Sequence, residues 1–280
     1  MTDQVFDRGA VRRHHDRAAA TVDMVAPVLA EVADRLLDRL DDVTRRFGRA
    51  LDLGGRGVVA PRLRQRGIDT VSMEFSPAMA RRYGAVAADA EWLPFGPASF
   101  DLVVANLSLH MVNDLPGALI QLRSALRPDG LLLASMPALG TLAELRASLT
   151  EAEATLTGGA SPRVAPFAGL ADCASLLQRA GYALPVVDGD TLTLLYTDPL
   201  VLLRELRAAG EANAVLLRNR RPPPRDLFAM ALASLPTIDG RVAATLRLAM
   251  MTGWAPGPSQ QKPAARGSGT TSLADALRQP

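Results

Sequence analysis

Residues 50–80 read ALDLGGRGVVAPRLRQRGIDTVSMEFSPAMA, and this stretch decides the fold. A short apolar run, Ala50–Leu53, ends at a glycine-rich turn. A helical pattern follows over Val58–Arg66, and a second apolar run, Thr70–Glu74, ends on an acid. Strand, loop, helix and strand in series form the unit of a mostly parallel sheet with crossover helices. Outward from it, Ala85–Ala88, Leu102–Asn106 and Leu131–Met136 read as further strands, with helices over Ser76–Tyr83 and Leu115–Leu126. Arg127–Gly130 reads as a turn in which Gly130 is free to take a positive φ.

The flanks are helical in pattern. Over residues 5–47, Val22, Val25, Leu29, Val32, Leu36 and Leu40 fall near i, i+3, i+4 spacing, and Pro27 divides the segment. Beyond Met136 the alternation stops. Leu139–Thr155 and Leu170–Ala180 read as helices around the loop TGGASPRVAPF, and ALPVVDGDTLTLLY reads as a hairpin turning at Asp188-Gly189 that would finish the sheet. Pro199–Ala209, Asp226–Leu235 and Gly240–Met251 read as helices, the first two separated by RNRRPPPRD. From Pro256 the composition is that of a flexible tail. The expected organisation is an N-terminal helical segment (1–48), an α/β domain (49–198), a C-terminal helical lid (199–255) and the tail (256–280).

Composition narrows the function. A net charge of +2 on 280 residues, with acids and bases interspersed, lacks the one-sided basic field that nucleic acid binding needs. Lys262 is the sole lysine, a bias toward arginine that fits a GC-rich bacterial genome. No apolar run approaches the ~20 residues that cross a bilayer. MTDQVFDRGAVRRHHDRAAA has no apolar signal core, so the expectation is a cytoplasmic protein that is not integral to a membrane. Cys173, the only cysteine, lies among Ala171, Ala174, Leu176 and Leu177 and reads as a buried thiol. Three histidines without a cysteine pair or carboxylate cluster give no metal site, and no serine-hydrolase or P-loop pattern occurs.

The chemistry gathers at strand ends. Asp52, Gly54, Gly55 and Gly57 lie between a strand and a helix, where glycine lets backbone approach a ligand and the helix N-terminus offers free N–H groups. Glu74, 22 residues after Asp52 and followed by Phe75, can accept both hydroxyls of a ribose. It also reads as a solvated acid ahead of a helix that Ser76 caps and Pro77 starts. Asp89 and Ala90, ahead of Trp92 and Phe95, can meet an adenine amine, or form an exposed acidic turn. Asn106 and His110 follow the fourth strand. His110 is a weak candidate base that reads equally as structural, and His14 and His15 read as a solvated helix face.

LDLG, GRG, SPAMA, DAEWLPF, FDLVVANLSLHMVNDLPGAL and LRPDGLLL together resemble class I S-adenosylmethionine-dependent methyltransferases of the biotin-synthesis type. GTLAELRASLTEAEATLTGGASPRVAPF, LLQRAGYALPVVDGD, LRAAGEANAVLLRNR and GWAPGPSQQKPAARGS resemble more specifically the complex I assembly factors that hydroxylate an arginine of the complex's iron–sulfur subunit. The likeness runs from Phe6 to about Leu277. It implies a Rossmann-like sheet of seven strands, the last antiparallel. It also implies S-adenosyl-L-methionine as cofactor and methyl transfer to a protein or carrier-bound acceptor linked to complex I assembly, or instead hydroxylation of an arginine of a complex I iron–sulfur subunit. The cofactor residues would be Asp52, Gly54, Gly55, Gly57, Glu74, Phe75, Asp89, Ala90 and Asn106. Three departures stand out, one of them Glu74 where the family often has aspartate. The family's D-L-G-C-G-x-G loop is one residue shorter here, and Met111 replaces a tryptophan. The short loop leaves open a third reading, an assembly module whose cofactor pocket has decayed.

Overall fold

The computed structural model describes residues 4–260 together with 267–269, 272, 274 and 278, so most of the expected flexible tail lies outside the described residues. Helix α1 (Arg8–Ala18) is capped by Asp7, whose carboxylate accepts from the Ala10 N–H at 2.9 Å. A 3-10 turn (Val22–Val25) leads into α2 (Ala26–Leu37), with Pro27 in its first turn. Then come β1 (Arg49–Leu53), α3 (Val59–Gln65), β2 (Asp69–Glu74), α4 (Pro77–Tyr83), β3 (Val86–Ala87), β4 (Phe100–Asn106), α5 (Leu115–Ala125) and β5 (Leu126–Pro137). The chain continues through α6 (Ala143–Thr157), α7 (Leu170–Arg179), β6 (Ala183–Tyr196), α8 (Pro199–Ala208), α9 (Arg225–Ala233), β7 (Thr237–Ile238) and β8 (Arg241–Trp254).

The sheet order is β3-β2-β1-β4-β5-β8-β6. β8 is antiparallel to both of its long neighbours, and the two-residue β7 folds back on it as a short hairpin. The seven long-range strands, with the last one antiparallel, are those the resemblance implied. Alternation along the strands splits the core. Leu51, Val103, Leu132 and Met251 pack on the α5–α7 side, whereas Ala50, Leu102, Leu131 and Met250 pack on the α2–α3 side. Strand order reverses between β1 and β4, which is where a doubly wound sheet opens a ligand crevice at its strand C-termini.

Three expectations are corrected. Gly240–Met251 is strand, not helix, so the expected lid over 199–255 is helical only in α8 and α9. A strand covered on both faces reads as a continuous apolar run, and VAATLRLAMM has no period of 2 to separate it from a helix. ALPVVDGDTLTLLY is one continuous strand rather than a hairpin. Asp188 and Gly189 pair with Met250 and Ala249, Arg39 binds the Asp188 carboxylate at 2.6 Å, and a side chain at 189 would meet Leu170 at 2.9 Å. Arg127–Gly130 lies within β5 instead of forming a turn, and its positive φ belongs to Asp129, at 62°, not to Gly130.

Candidate functional site

The glycine loop leaves β1 at Leu53. Gly54 has φ +67°, donates its N–H to the Met73 carbonyl at 2.8 Å, and a Cβ there would collide with Ser108. Gly55 lies against the Asp52 carboxylate and Gly57 against the Tyr83 ring. Between them Arg56, at φ 47°, turns its side chain inward to 3% exposure. Its N–H donates to Glu74 Oε1 at 2.8 Å. Its guanidinium donates to the carbonyls of Leu107 (2.9 Å), Asn106 (3.3 Å) and Ala209 (3.3 Å), and lies 3.8 Å from Glu211. The loop therefore places a buried cation among its glycines. Its one signal was an arginine inside that loop.

The acids play different parts. Asp52 is buried beneath the loop and accepts from the Ala60 N–H (3.2 Å) and the Ser72 hydroxyl (3.3 Å), while its Oδ1 has no partner. Burial pushes its carboxyl up to about 7. Burial, reinforced by the Asp52 charge, pushes Glu74 up to about 7 as well. Asp89 is held by Arg8 of α1. Arg8 also reaches Glu91 at 3.3 Å and the Met111 carbonyl at 3.0 Å, and lies 4.0 Å over the Phe75 ring. Asn106 is a bracket: its amide donates to the Leu29 carbonyl at 3.0 Å and accepts from Ser135 at 2.9 Å.

Two adjoining cavities result. The first, about 40 Å³, is lined by Leu53, Gly54, Glu74, Phe75, Ala90 and Ser108. The second, about 160 Å³, is mostly apolar and runs between Val25, Leu29, Leu145, Phe167, Tyr196 and Leu246. Arg56, Leu107, His110 and Met111 line both, so these four residues form a common wall. Of the residues singled out in the sequence, Gly54, Glu74, Phe75, Ala90 and His110 meet at the first cavity. Asp52, Gly55, Gly57, Asp89 and Asn106 support its walls without lining it.

His110 Nε2 lies 2.9 Å from Glu211 Oε2, and its Nδ1 is buried without a partner. Burial works against the charge of Glu211, but His110, His15 and Arg56 around it hold the carboxyl down at about 2. His15 is not solvated as expected. It lines the first cavity, packs on Gly210, and is pushed down to about 4 by burial. His14 bonds the Ala212 carbonyl at 3.1 Å. One cover, made of residues 5–18 and 209–218, spans both cavities. Asn113 accepts from the Val5 and Phe6 N–H groups, the Asp7 N–H donates to Ala214, and Arg218 pairs with Asp7 at 2.9 Å. Glu211 escaped the sequence reading because its partners stand 101 and 155 positions away.

Among the described residues no group of three or more histidine, cysteine or acidic side chains is arranged to hold a metal ion. No described helix is long and apolar enough to cross a membrane. Cys173 is buried, as expected.

A parallel sheet reversing at β1 and β4, with a glycine turn and a strand-end acid at that point, defines a doubly wound α/β protein of the kind that binds nucleosides. The methyltransferase-domain family matches residues 25–185, and the chain belongs to the class I S-adenosylmethionine-dependent methyltransferases. Within that class it is 38% identical over 286 residues to the mitochondrial arginine-hydroxylase NDUFAF5 of Danio rerio, covering 97% of this chain and 89% of that one. It is 35% identical over 276 residues to the malonyl-[acyl-carrier protein] O-methyltransferase of Halorhodospira halophila, covering 92% of each. Among solved structures, the fold matches the Haloferax volcanii protein solved in complex with the methyltransferase activator Trm112. That match has TM-score 0.55 at 16% identity and covers 90% of this chain and all of that one.

Proposed function

We propose that the chain binds S-adenosylmethionine in the first cavity and acts on a protein-borne arginine in the second, in the assembly of respiratory complex I. The observation that carries this reading is the common wall: group transfer needs donor and acceptor sites that touch, and Arg56, Leu107, His110 and Met111 face both. The residues present fit the cofactor in kind. Glu74 offers a buried carboxylate to a ribose, Phe75 and Ala90 offer apolar faces to an adenine, and Gly54 leaves backbone open beside Ser108. As it stands the cavity falls well short of the ~300 Å³ of a typical ligand pocket, so binding requires Arg8 to withdraw from Phe75 and Asp89. When bound, the cofactor supplies an electrophilic methyl group.

The acceptor chamber favours a cation. Arg163 is paired with Glu153 and Arg56 with Glu211, whereas Glu205 receives a neutral partner, the Tyr196 hydroxyl at 2.7 Å. An arginine side chain, with an apolar stem and a charged head, suits such a lining. Hydroxylation is the second reading, supported by relatives named arginine hydroxylases that align over 97% of the chain.

Calorimetry with S-adenosylhomocysteine tests the cofactor site. Micromolar binding lost in Glu74→Ala supports it, and no binding at millimolar ligand defeats it. Mass spectrometry of the complex I iron–sulfur subunit from a deletion strain then separates the reactions. Loss of CH₂ from the subunit marks methylation, loss of one oxygen marks hydroxylation, and an unchanged mass rejects this substrate.

A further inference from the structure

The outer face of the cover gathers positive charge from two distant parts of the chain. Residues 5–7 and 214–216 pair antiparallel through a bridge between Phe6 and Val215. The Asp7 N–H donates to the Ala214 carbonyl at 2.9 Å, and the Leu216 N–H to the Val5 carbonyl at 2.8 Å. This pairing sets α1 beside RNRRPPPR, residues 218–225, which lines neither cavity. Arg218 is fixed by Asp7 and by the Val215 carbonyl, each at 2.9 Å, and Arg220 stands 4.0 Å from the same carboxylate. Arg13 approaches it from α1: a side chain at Gly9 would meet Arg13 Nη1 at 3.3 Å and Asp7 Oδ1 at 3.4 Å. Burial, and then the charges of Arg17, Arg218 and Arg13, outweigh the bond to the Ala212 carbonyl and push the His14 imidazole down. Arg13, Arg17, Arg220 and Arg221 are exposed. Among the described residues, Asp7 is the only acid paired with any of these arginines. Folding thus concentrates a local field that a net charge of +2 does not announce. Beside it Leu217 is 81% exposed, with Val5 and Leu216 also open to solvent.

We propose that this face docks an acidic protein segment that carries an apolar side chain among its carboxylates. Arginine is enriched at protein interfaces, and its planar fork matches a carboxylate through two bonds. Pro222, Pro223 and Pro224 stiffen the segment that presents Arg220 and Arg221, so less freedom is lost when a partner binds. A lipid surface fits less well, because α1 turns Arg12, Arg13 and Arg17 outward with no apolar stripe to enter a bilayer. A nucleic acid also fits less well. Residues 5–18 and 209–221 show no exposed phenylalanine, tyrosine or tryptophan for bases to stack on, and Phe6 is buried. The inference goes beyond the reading above and is independent of it, since none of these arginines lines either cavity. A segment seated across Arg13 and Arg220 would bridge α1 and the 209–218 segment, the two halves of the cover.

Fluorescence anisotropy of a labelled peptide of repeated Glu-Glu-Leu, titrated with the full chain, reads this surface without cofactor or turnover. Micromolar binding that weakens as salt rises is expected. Arg220→Glu combined with Arg221→Glu should weaken it at least ~10-fold. Arg46→Glu combined with Arg179→Glu reverses exposed arginines at the opposite end of the sheet and should leave affinity within about twofold. Leu217→Ser should cost about threefold with this peptide and nothing with repeated Glu-Glu-Ser. All the substituted side chains lie in solvent, and circular dichroism checks that each variant folds. No binding at millimolar peptide overturns the inference, as does an equal loss in the two charge-reversed variants. Tighter binding to polyuridine or to phosphatidylglycerol vesicles than to the peptide also overturns it, and assigns the face to a nucleic acid or a lipid surface instead. Wild-type affinity in Leu217→Ser rejects the apolar contact.

Discussion

The two cavities that share Arg56 and His110 are built from different parts of the fold. The first takes its walls from strand ends fixed by the sheet, and two arginines crowd it: Arg8 over Phe75 and Arg56 beneath the loop. The second takes its walls from α2, α6, α8 and the 163–167 segment together with the β6 and β8 residues Leu194, Tyr196, Thr245 and Leu246, and is four times as large. One is small and crowded by charged side chains, the other larger and mostly apolar. The difference teaches that the first cavity is bounded from outside the sheet by Arg8, Val11 and His15 of α1, so on the proposed reading α1 governs access to the cofactor. Arg8 in particular satisfies Asp89 and stacks on Phe75, the two groups an adenine would use.

That contrast can be broken at several points. Gly54→Ala forces a side chain into a positive φ and against Ser108. About 1–2 kcal/mol of backbone strain plus the displaced serine should weaken S-adenosylhomocysteine at least ~100-fold by calorimetry, with the acceptor chamber untouched. Glu74→Ala removes a charged acceptor worth roughly 1.5–3 kcal/mol, so a ~10- to 100-fold loss is expected in the same titration.

The same residue predicts a pH dependence. Glu74 is pushed up to about 7, so the ionised form that accepts ribose hydroxyls fades below that value, and affinity should fall as the solution is acidified. Stability of the ligand-free chain runs the other way. A carboxyl raised in the folded state contributes fully below its ordinary value and loses that contribution as pH rises through about 7. His15, pushed down to about 4, opposes this trend as pH falls from its ordinary value of 6.5. The melting difference between wild type and Glu74→Gln isolates the Glu74 share. It should favour wild type in mild acid and shrink or reverse toward alkaline pH.

Ala165→Phe sharpens the comparison from the other side. It fills the acceptor chamber, so turnover of the protein substrate should drop about tenfold while nucleoside affinity stays within about twofold. Smallest of all, Arg8→Ala removes an ion pair and a cation–π contact that compete with adenine, and S-adenosylhomocysteine should bind ~3- to 10-fold more tightly. Weaker binding in that variant would mean that Arg8 clasps the nucleoside instead of excluding it.

Much of the sheet was legible because β1, β2, β4 and β5 are short apolar runs punctuated by glycine, acid and turn residues, each with a local physical reason. Ser76 and Pro77 announce α4 in the same way, and Ser76 does accept from the Met79 N–H at 3.1 Å. β8 was not legible, since Ala, Leu and Met buried on both faces carry no period. β6 misled through Asp188-Gly189, where a turn signal is overridden by pairing along a 14-residue strand. In the site, spacing put Gly54 and Glu74 at the ends of β1 and β2 but left Glu74 equally readable as a solvated acid ahead of α4. Arg8, His15 and Glu211 could not be placed, because their partners are set by how α1 and the 209–218 segment fold across the sheet, a long-range matter invisible to local pattern.

The position of β8 has a temporal side. β5 and β6 are neighbours of β8 and not of each other, so the two long edges they present stay unsatisfied until residues 241–254 leave the ribosome. For more than a hundred residues of synthesis after β5, the nascent chain carries an open hydrogen-bonding seam of the kind that invites chaperones or stray strands. Closure is then a single late insertion that completes the sheet and one wall of the acceptor chamber together, through Thr245 and Leu246.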